Sequence, residues 1–194
     1  MNAWHLKDLA MKRIFIWLLF ALNAWAAAAV HAETSDTEKA TAIQADSSTY
    51  DDIKQVLTYN GNVTLTRGTL TIKADKIVVT KDPAGYQYAK IYAAPNGVAT
   101  FRQKRNGPGN LWFEGQAQRI EYDDKTEVVK LLSNALIRRL DGNRPTDEMQ
   151  GEFISYDSRT EFVSVNNSPS GQSKPGAGRV KAVIHPRSEQ KDKQ

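Results

Sequence analysis

The chain has no cysteine among its 194 residues, so neither disulfides nor thiolate metal sites are open to it. Histidine is almost as scarce, with only His5, His31 and His185 present. A histidine-centred triad or a multi-histidine zinc site therefore lacks its parts. Glycines stand singly, so the sequence has neither a phosphate-cradling loop nor the Gly-Gly-x-Gly-x-Asp nonapeptides of calcium-binding β-rolls. Acid pairs do occur, at Asp51-Asp52, Asp123-Asp124 and Asp147-Glu148. Glycoside hydrolysis needs two carboxyls facing each other about 5 to 9.5 Å apart, which neighbouring turn residues do not specify. Charge is also mild, at a formal +4. Three positive residues (Lys7, Lys12, Arg13) and one negative (Asp8) lie before Glu33, so the remainder carries about +2. That is too little to argue for nucleic acid. The expectation is a protein that is not an enzyme, with no cofactor, no metal site and no nucleic-acid partner.

Apolar runs are short, with one exception near the start. Met11-Lys12-Arg13 is basic, Ile14 to Leu22 is strongly apolar, and Ala26 to Ala32 is rich in small residues, ending Val30-His31-Ala32. This pattern predicts a signal peptide over 1–32, with translation starting at Met1 or at Met11. The alternative, an uncleaved anchor, is disfavoured because the strongly apolar run is shorter than the roughly 20 residues that span a bilayer. Residues 33–40 are polar and read as a flexible lead. Residues 166–178 are rich in Ser, Pro, Gly and Asn and read as a linker. Beyond it, 179–185 is a candidate edge strand, and 186–194 is a charged tail of disordered composition.

What is abundant is alternation. Asn62-Val63-Thr64-Leu65-Thr66 and Thr69-Leu70-Thr71-Ile72-Lys73 place Val63 with Leu65, and Leu70 with Ile72, on one face. Ile120 and Tyr122 repeat the pattern. Threonines and charges take the other side, as in half-buried antiparallel strands. Turn residues interrupt at Asp51-Asp52, Asn60-Gly61, Arg67-Gly68, Asp82-Pro83, Pro95-Asn96-Gly97, Asp123-Asp124 and Asp141-Gly142. The pattern predicts an all-β fold of short strands joined by hairpins.

The chain also repeats itself. Tyr50-Asp51, Tyr122-Asp123 and Tyr156-Asp157 are each followed, after four residues, by an apolar pair: Val56-Leu57, Val128-Val129 and Phe162-Val163. A small residue (Ala45, Ala117, Gly151) stands five positions before each tyrosine. Such units cannot bury an apolar face alone and must stack. The aspartate reads as a turn-former. The tyrosine closes its rung, with its hydroxyl on a turn group, or faces an apolar groove, and the residues alone leave both open. For Tyr122, Ile120 and Phe101 the same choice stands between core and groove wall.

The block Asn60-Gly61-Asn62-Val63, followed by Arg67-Gly68-Thr69-Leu70-Thr71-Ile72-Lys73-Ala74-Asp75-Lys76-Ile77-Val78-Val79, resembles the signature of the OstA-like family. Val98-Ala99-Thr100-Phe101, Glu114-Gly115-Gln116-Ala117 and Tyr122 continue the likeness in order, so that it spans about 41–165. One departure stands out, at Ser133-Asn134-Ala135, where the family carries Gly-Asn followed by Ala or Val. The resemblance implies an open β-jellyroll, or β-taco, of stacked antiparallel strands folded into a V with an apolar interior. It implies a periplasmic protein of lipopolysaccharide export that holds acyl chains of lipid A in that interior and joins head to tail by strand addition. Partners would be an LptC-like inner-membrane component, an LptD-like outer-membrane component and further copies of itself. Expected groove residues are Ile43, Val63, Leu65, Ile72, Phe101, Ile120 and Tyr122. Expected partner edges are Thr41, Ala42, Ile43 and Gln44 at one end and Val180 and Val183 at the other. Arg102, Lys104, Arg105, Arg138 and Arg139 read either as a solvated strand face or as contacts to lipid phosphates. The competing readings are a structural adaptor that uses its edges alone and a carbohydrate-binding β-repeat protein.

Overall fold

Four strands in this protein are long, and each bends in its middle. They are β3 (Val56–Arg67), β4 (Leu70–Lys81), β9 (Val128–Asp141) and β10 (Arg144–Asp157), 12 or 14 residues each. The computed structural model describes residues 36, 39–105, 107 and 109–186. The leader expected over 1–32, most of the lead that follows it and the tail after Pro186 lie outside the described residues. The remaining strands are short: β1 (Thr41–Gln44), β2 (Ser47–Asp51), β5 (Gln87–Tyr92), β6 (Ala99–Lys104), β7 (Leu111–Ala117), β8 (Arg119–Asp123), β11 (Phe162–Asn166) and β12 (Lys181–Ile184). All pairings are antiparallel, and the described residues hold no helix.

Each long strand belongs to two layers. The first layer runs β1-β3-β4-β6-β7-β9-β10-β12 and the second β2-β3-β4-β5-β8-β9-β10-β11. The expectation of uniformly short strands is corrected here. Asn60-Gly61 is not a reversal between strands but a bend inside β3. Gly61 and Asn62 take φ of 78° and 48°, and the pairing with β4 skips from Asn60 to Val63. Two consecutive left-handed residues turn the strand without ending its ladder.

The same corner recurs 72 residues later. Ser133 and Asn134 have φ of 63° and 52°, so this pair turns its strand as Gly61-Asn62 does, with serine in the place of glycine. Main-chain bonds carry the ladder around the bend: Asp46 N–H donates to Gly61 O, Gln118 N–H to Ser133 O and Ala93 N–H to Gln118 O. At Gly61 the glycine is also needed for space, because a Cβ there would overlap the Asp46 carboxylate. Ser133 holds the left-handed conformation at a steric cost that glycine avoids.

The two layers face each other across one apolar cluster. Its deepest row in the second layer is Tyr59–Ile77–Ile91–Ile120–Leu131–Ile154–Val165, one residue from each of seven paired strands. Ile77, Ile120, Leu131 and Ile154 are essentially inaccessible. Opposite, beside the bend in the first layer, stand Val63, Ala99, Ala117 and Ala135, all buried. Small side chains are what this corner admits. At Gly151 a Cβ would lie 2.7 Å from Val165 Cγ1.

Of residues 166–178, expected as a flexible linker, Asn166 ends β11 and the rest form no strand but are pinned by side-chain bonds. Asn167 Nδ2 donates to Lys174 O and Gly178 O, and Lys174 N–H donates to Asn167 Oδ1.

Ile154→Ala is expected to cost about 2–5 kcal/mol, whereas Ile53→Ala, at a site 96% exposed, should stay within about 0.5 kcal/mol of the parent. Ser133→Gly should raise stability by up to about 1 kcal/mol. Urea unfolding of the three variants checks these values together.

Candidate functional site

The interior of the V is built as a series of cross-strand rows. In the first layer one row reads Ile43–Leu65–Ile72–Phe101–Gly115–Ile137–Met149–Ala182, continuous across eight strands. Period-2 alternation places every member on the same face. Gly115 makes room for its neighbour, since a Cβ there would overlap the Phe101 ring. In the second layer the facing row is Tyr50–Leu57–Val79–Ala89–Tyr122–Val129–Tyr156–Val163. The three repeat tyrosines therefore share a single row. Aromatic rings join the layers: Phe101 packs on Phe113 at 5.6 Å between centroids, and Phe113 on Tyr156 at 5.0 Å.

Burial grades outward along this wedge. Of the expected groove residues, Val63 and Ile120 are 1% and 2% exposed and lie at the deepest level, beside the bend. Ile43, Leu65, Ile72 and Phe101 are partly exposed in the first layer, and Tyr122 is partly exposed in the second. Burial is the main influence on Tyr122 and raises its pKa, with the Asp124 charge adding to it and Arg67 opposing. Phe113 and Met149 belong to the first-layer wall and Tyr156 to the second. Phe113 was legible from its alternation with Gly115 and Ala117, a signal the sequence reading did not use.

The aspartates that follow the tyrosines turn the chain. Asp123 Oδ1 accepts from Lys125 and Thr126 N–H, Asp157 Oδ1 from Arg159 and Thr160 N–H, and Asp51 Oδ1 from Lys54 N–H. Four positions after each aspartate the chain enters the left-handed region, at Gln55, Glu127 and Glu161, with φ of 53°, 54° and 54°. The Tyr50 hydroxyl reaches its own turn, donating to Asp52 Oδ1 at 3.1 Å.

Alternation also divides the arginines. Arg102 and Arg138 point outward in a ladder of alternating sign, Arg102–Glu114–Arg138–Glu148, with bonds of 2.5 Å and 2.7 Å at its two ends. Arg102 also stacks on Trp112, 4.4 Å from the ring centre. Lys104 shares this outer face. Arg139 and Arg105 instead lie toward Tyr156, where their charges oppose the rise in its pKa caused first by burial. A depression of about 390 Å³ on the outer face is lined by Lys73, Arg102, Glu114 and Arg138 among others. Leu136 and Phe101 also line it, but the charged ladder crosses it, whereas the interior carries unbroken apolar rows and is the candidate site.

The ends of each layer are open edges. Among the described residues β1 pairs only with β3, and β12 only with β10. Thr41, Ala42 and Gln44 are exposed and Ile43 partly so. Val180, just before β12, and Val183 within it are 47% and 48% exposed.

The family model described as LptA/(LptD N-terminal domain) LPS transport protein matches residues 42–162. The chain belongs to that family. The lipopolysaccharide export system protein LptA of Escherichia coli strain K12 is 34% identical over 125 residues, 64% of this chain and 63% of that protein. The match thus spans less than two thirds of that relative. LptA of Haemophilus influenzae is 27% identical over 87% of this chain and 90% of its own length. In fold, the family member resembles the crystal structure of LptH from Pseudomonas aeruginosa, titled the LptA-homologous periplasmic component of the lipopolysaccharide transport device. The TM-score is 0.65 at 25% identity, over 78% of this chain and 99% of that one. The open β-jellyroll expected from the sequence is the fold observed.

Hydrogen bonds to the turn aspartates have a signature in acid. For Asp51 the Lys54 N–H bond is the main cause that lowers its pKa, while at Asp123 and Asp157 burial works upward and is outweighed by hydrogen bonds, from the Thr126 side chain first at Asp123 and from Arg159 N–H first at Asp157. Depressed carboxylates contribute stability above their unfolded pKa of about 3.9 and lose it as pH falls through the folded value. The melting temperature should therefore drop below about pH 4. Asp51→Asn, Asp123→Asn and Asp157→Asn combined, which keep the turn geometry, should flatten that part of the profile, as read by thermal melts from pH 7 to pH 2.

Proposed function

We propose that this protein is a periplasmic carrier of lipopolysaccharide that shelters the acyl chains between the two layers of its jellyroll. The observation that carries the reading is the pair of facing rows, Ile43 to Ala182 and Tyr50 to Val163, whose apolar members line a wedge open toward the strand tips. Exposing a buried methylene to water costs about 0.8 kcal/mol, so a twelve-carbon chain in the periplasm would cost on the order of 10 kcal/mol. An aliphatic and aromatic trough removes that cost without binding any one position tightly. Ile43, Leu65, Ile72, Phe101 and Tyr122 are the wall residues met first, and Val63 and Ile120 are reached when the layers part. The absence of a deep polar anchor among these seven suits a cargo that slides.

Passage between membranes follows from the edges. β1 with residues 41–44 and the strand around Val180 and Val183 present unpaired main-chain groups at opposite ends of one sheet. A second copy, an LptC-like inner-membrane component and an LptD-like outer-membrane component would dock there by strand addition. Such docking extends the apolar rows from one protein into the next.

A photo-crosslinking residue at Phe101 or Tyr122 should give adducts with lipopolysaccharide in cells. Labelling of protein partners alone would replace the carrier by an adaptor that uses only its edges. Phe101→Asp should abolish lipid binding while preserving a β-type circular dichroism spectrum, and loss of the fold would make Phe101 ordinary core. Deleting residues 179–194 should leave the jellyroll folded and reduce concentration-dependent oligomer size in light scattering.

A further inference from the structure

Beyond Leu65 on the same face of β3 stands Arg67, and beside it the β3–β4 turn holds a buried carboxylate from outside the sheet. Asp36 is 4% exposed although it precedes the first strand. Its oxygens accept from Thr69 N–H at 2.9 Å, from the Thr69 hydroxyl at 2.5 Å and from Gln103 Nε2 at 3.3 Å. Gly68 makes the cradle possible twice over. Its φ of 57° turns the chain, and a Cβ there would overlap the Asp36 carboxylate. Burial alone would raise the Asp36 pKa, but the Thr69 and Gln103 hydrogen bonds and the Arg67 charge outweigh it and hold the group ionised.

The cradle has more capacity than a carboxylate uses. Arg67 contributes charge, yet its buried Nε makes no hydrogen bond among the described residues. A buried guanidinium N–H without an acceptor is costly. A phosphate brings three acceptor oxygens and up to two charges where a carboxylate brings two oxygens and one. The main-chain N–H, hydroxyl and amide that hold Asp36 are donor types that bind such an oxyanion, and the Arg67 guanidinium adds its charge without an ion pair to Asp36 among the described residues. Their position also fits an amphiphile. Gln103 and Arg67 follow Phe101 and Leu65 by two residues on the inner face, so an oxyanion here would sit at the polar end of the apolar rows.

We propose that Thr69, Gln103 and Arg67 form a phosphate-type oxyanion site at the mouth of the groove, and that Asp36 is its tethered internal occupant, displaced when a phosphate enters. A phosphate on the lipid headgroup and free phosphate share this chemistry, and only the choice of the headgroup as source rests on the carrier reading. A tethered occupant lowers apparent affinity by the fraction of time the site is open.

Titration of the full chain with inorganic phosphate, followed by calorimetry and by the Thr69 amide and Gln103 side-chain NMR signals, tests the site. Asp36→Ala should bind phosphate about tenfold or more tightly than the parent, and adding Arg67→Gln should remove that gain. Equal affinity of Asp36→Ala and the parent would overturn the proposal, as would a gain that survives Arg67→Gln. If Asp36→Ala does not fold, the parent itself decides. Thr69 and Gln103 signals that move together at high phosphate support displacement, and signals that stay fixed refute it. In Asp36→Ala, tighter binding of bis-phosphorylated than of dephosphorylated lipid A assigns the site to the headgroup. Equal binding of the two, with phosphate still bound, assigns it to free phosphate. Failure of both lipids to bind overturns the carrier reading while the phosphate titration still judges the site.

Discussion

Two layers of one sheet can close on each other only where the side chains between them are small. That constraint acts at the bend, where Ala99, Ala117 and Ala135 have no accessible surface and where Gly151 faces Val165 Cγ1 too closely for a Cβ. The larger isoleucines and leucines face them from the second layer, in the row through Ile77, Ile120, Leu131 and Ile154. Aromatic rings come next, where the layers have diverged enough to hold Phe113 against Tyr156. Small side chains on one layer against large ones on the other thus fill the corner, and rings fill the space farther out. The left-handed pairs Gly61-Asn62 and Ser133-Asn134 supply the backbone angle, and the small residues let that angle be reached.

Much of this was legible from the sequence. Alternation within each layer placed Val63 with Leu65 and Ile120 with Tyr122 on the interior face, and the turn role of Asp51, Asp123 and Asp157 follows from their spacing. The corners were not legible, because a left-handed pair inside a strand carries the same residues as a hairpin turn. Asn60-Gly61 consequently read as a reversal. The bend also resets the period: Ala74 and Ile77 both face the interior, three positions apart. No alternation rule carried across such a corner can succeed. Asp36 was invisible for a different reason. Its burial depends on contacts 33 and 67 residues away, and nothing in a polar lead announces them.

Adjacent residues with the same charge have opposite fates here. Arg138 pairs with Glu148 on the outer face, while Arg139 turns toward Tyr156. Arg102 joins the outer ladder and Arg105 the interior. The exposed pairs contribute little stability each, but the alternation of sign keeps like charges from meeting across neighbouring strands. A basic cluster in a β-repeat chain thus has to be read one residue at a time, by parity, before any ligand is assigned to it.

The row from Ile43 to Ala182 passes through eight strands without a break. Neighbouring strands lie about 4.8 Å apart, which makes that row roughly 34 Å long. The protein's reach is therefore quantised. Adding one hairpin would lengthen it by about 10 Å and leave its cross-section unchanged, because each long strand passes through both layers and turns at the same corner. Length and bore are independent variables in this architecture, and natural variation in strand number can change one without retuning the other.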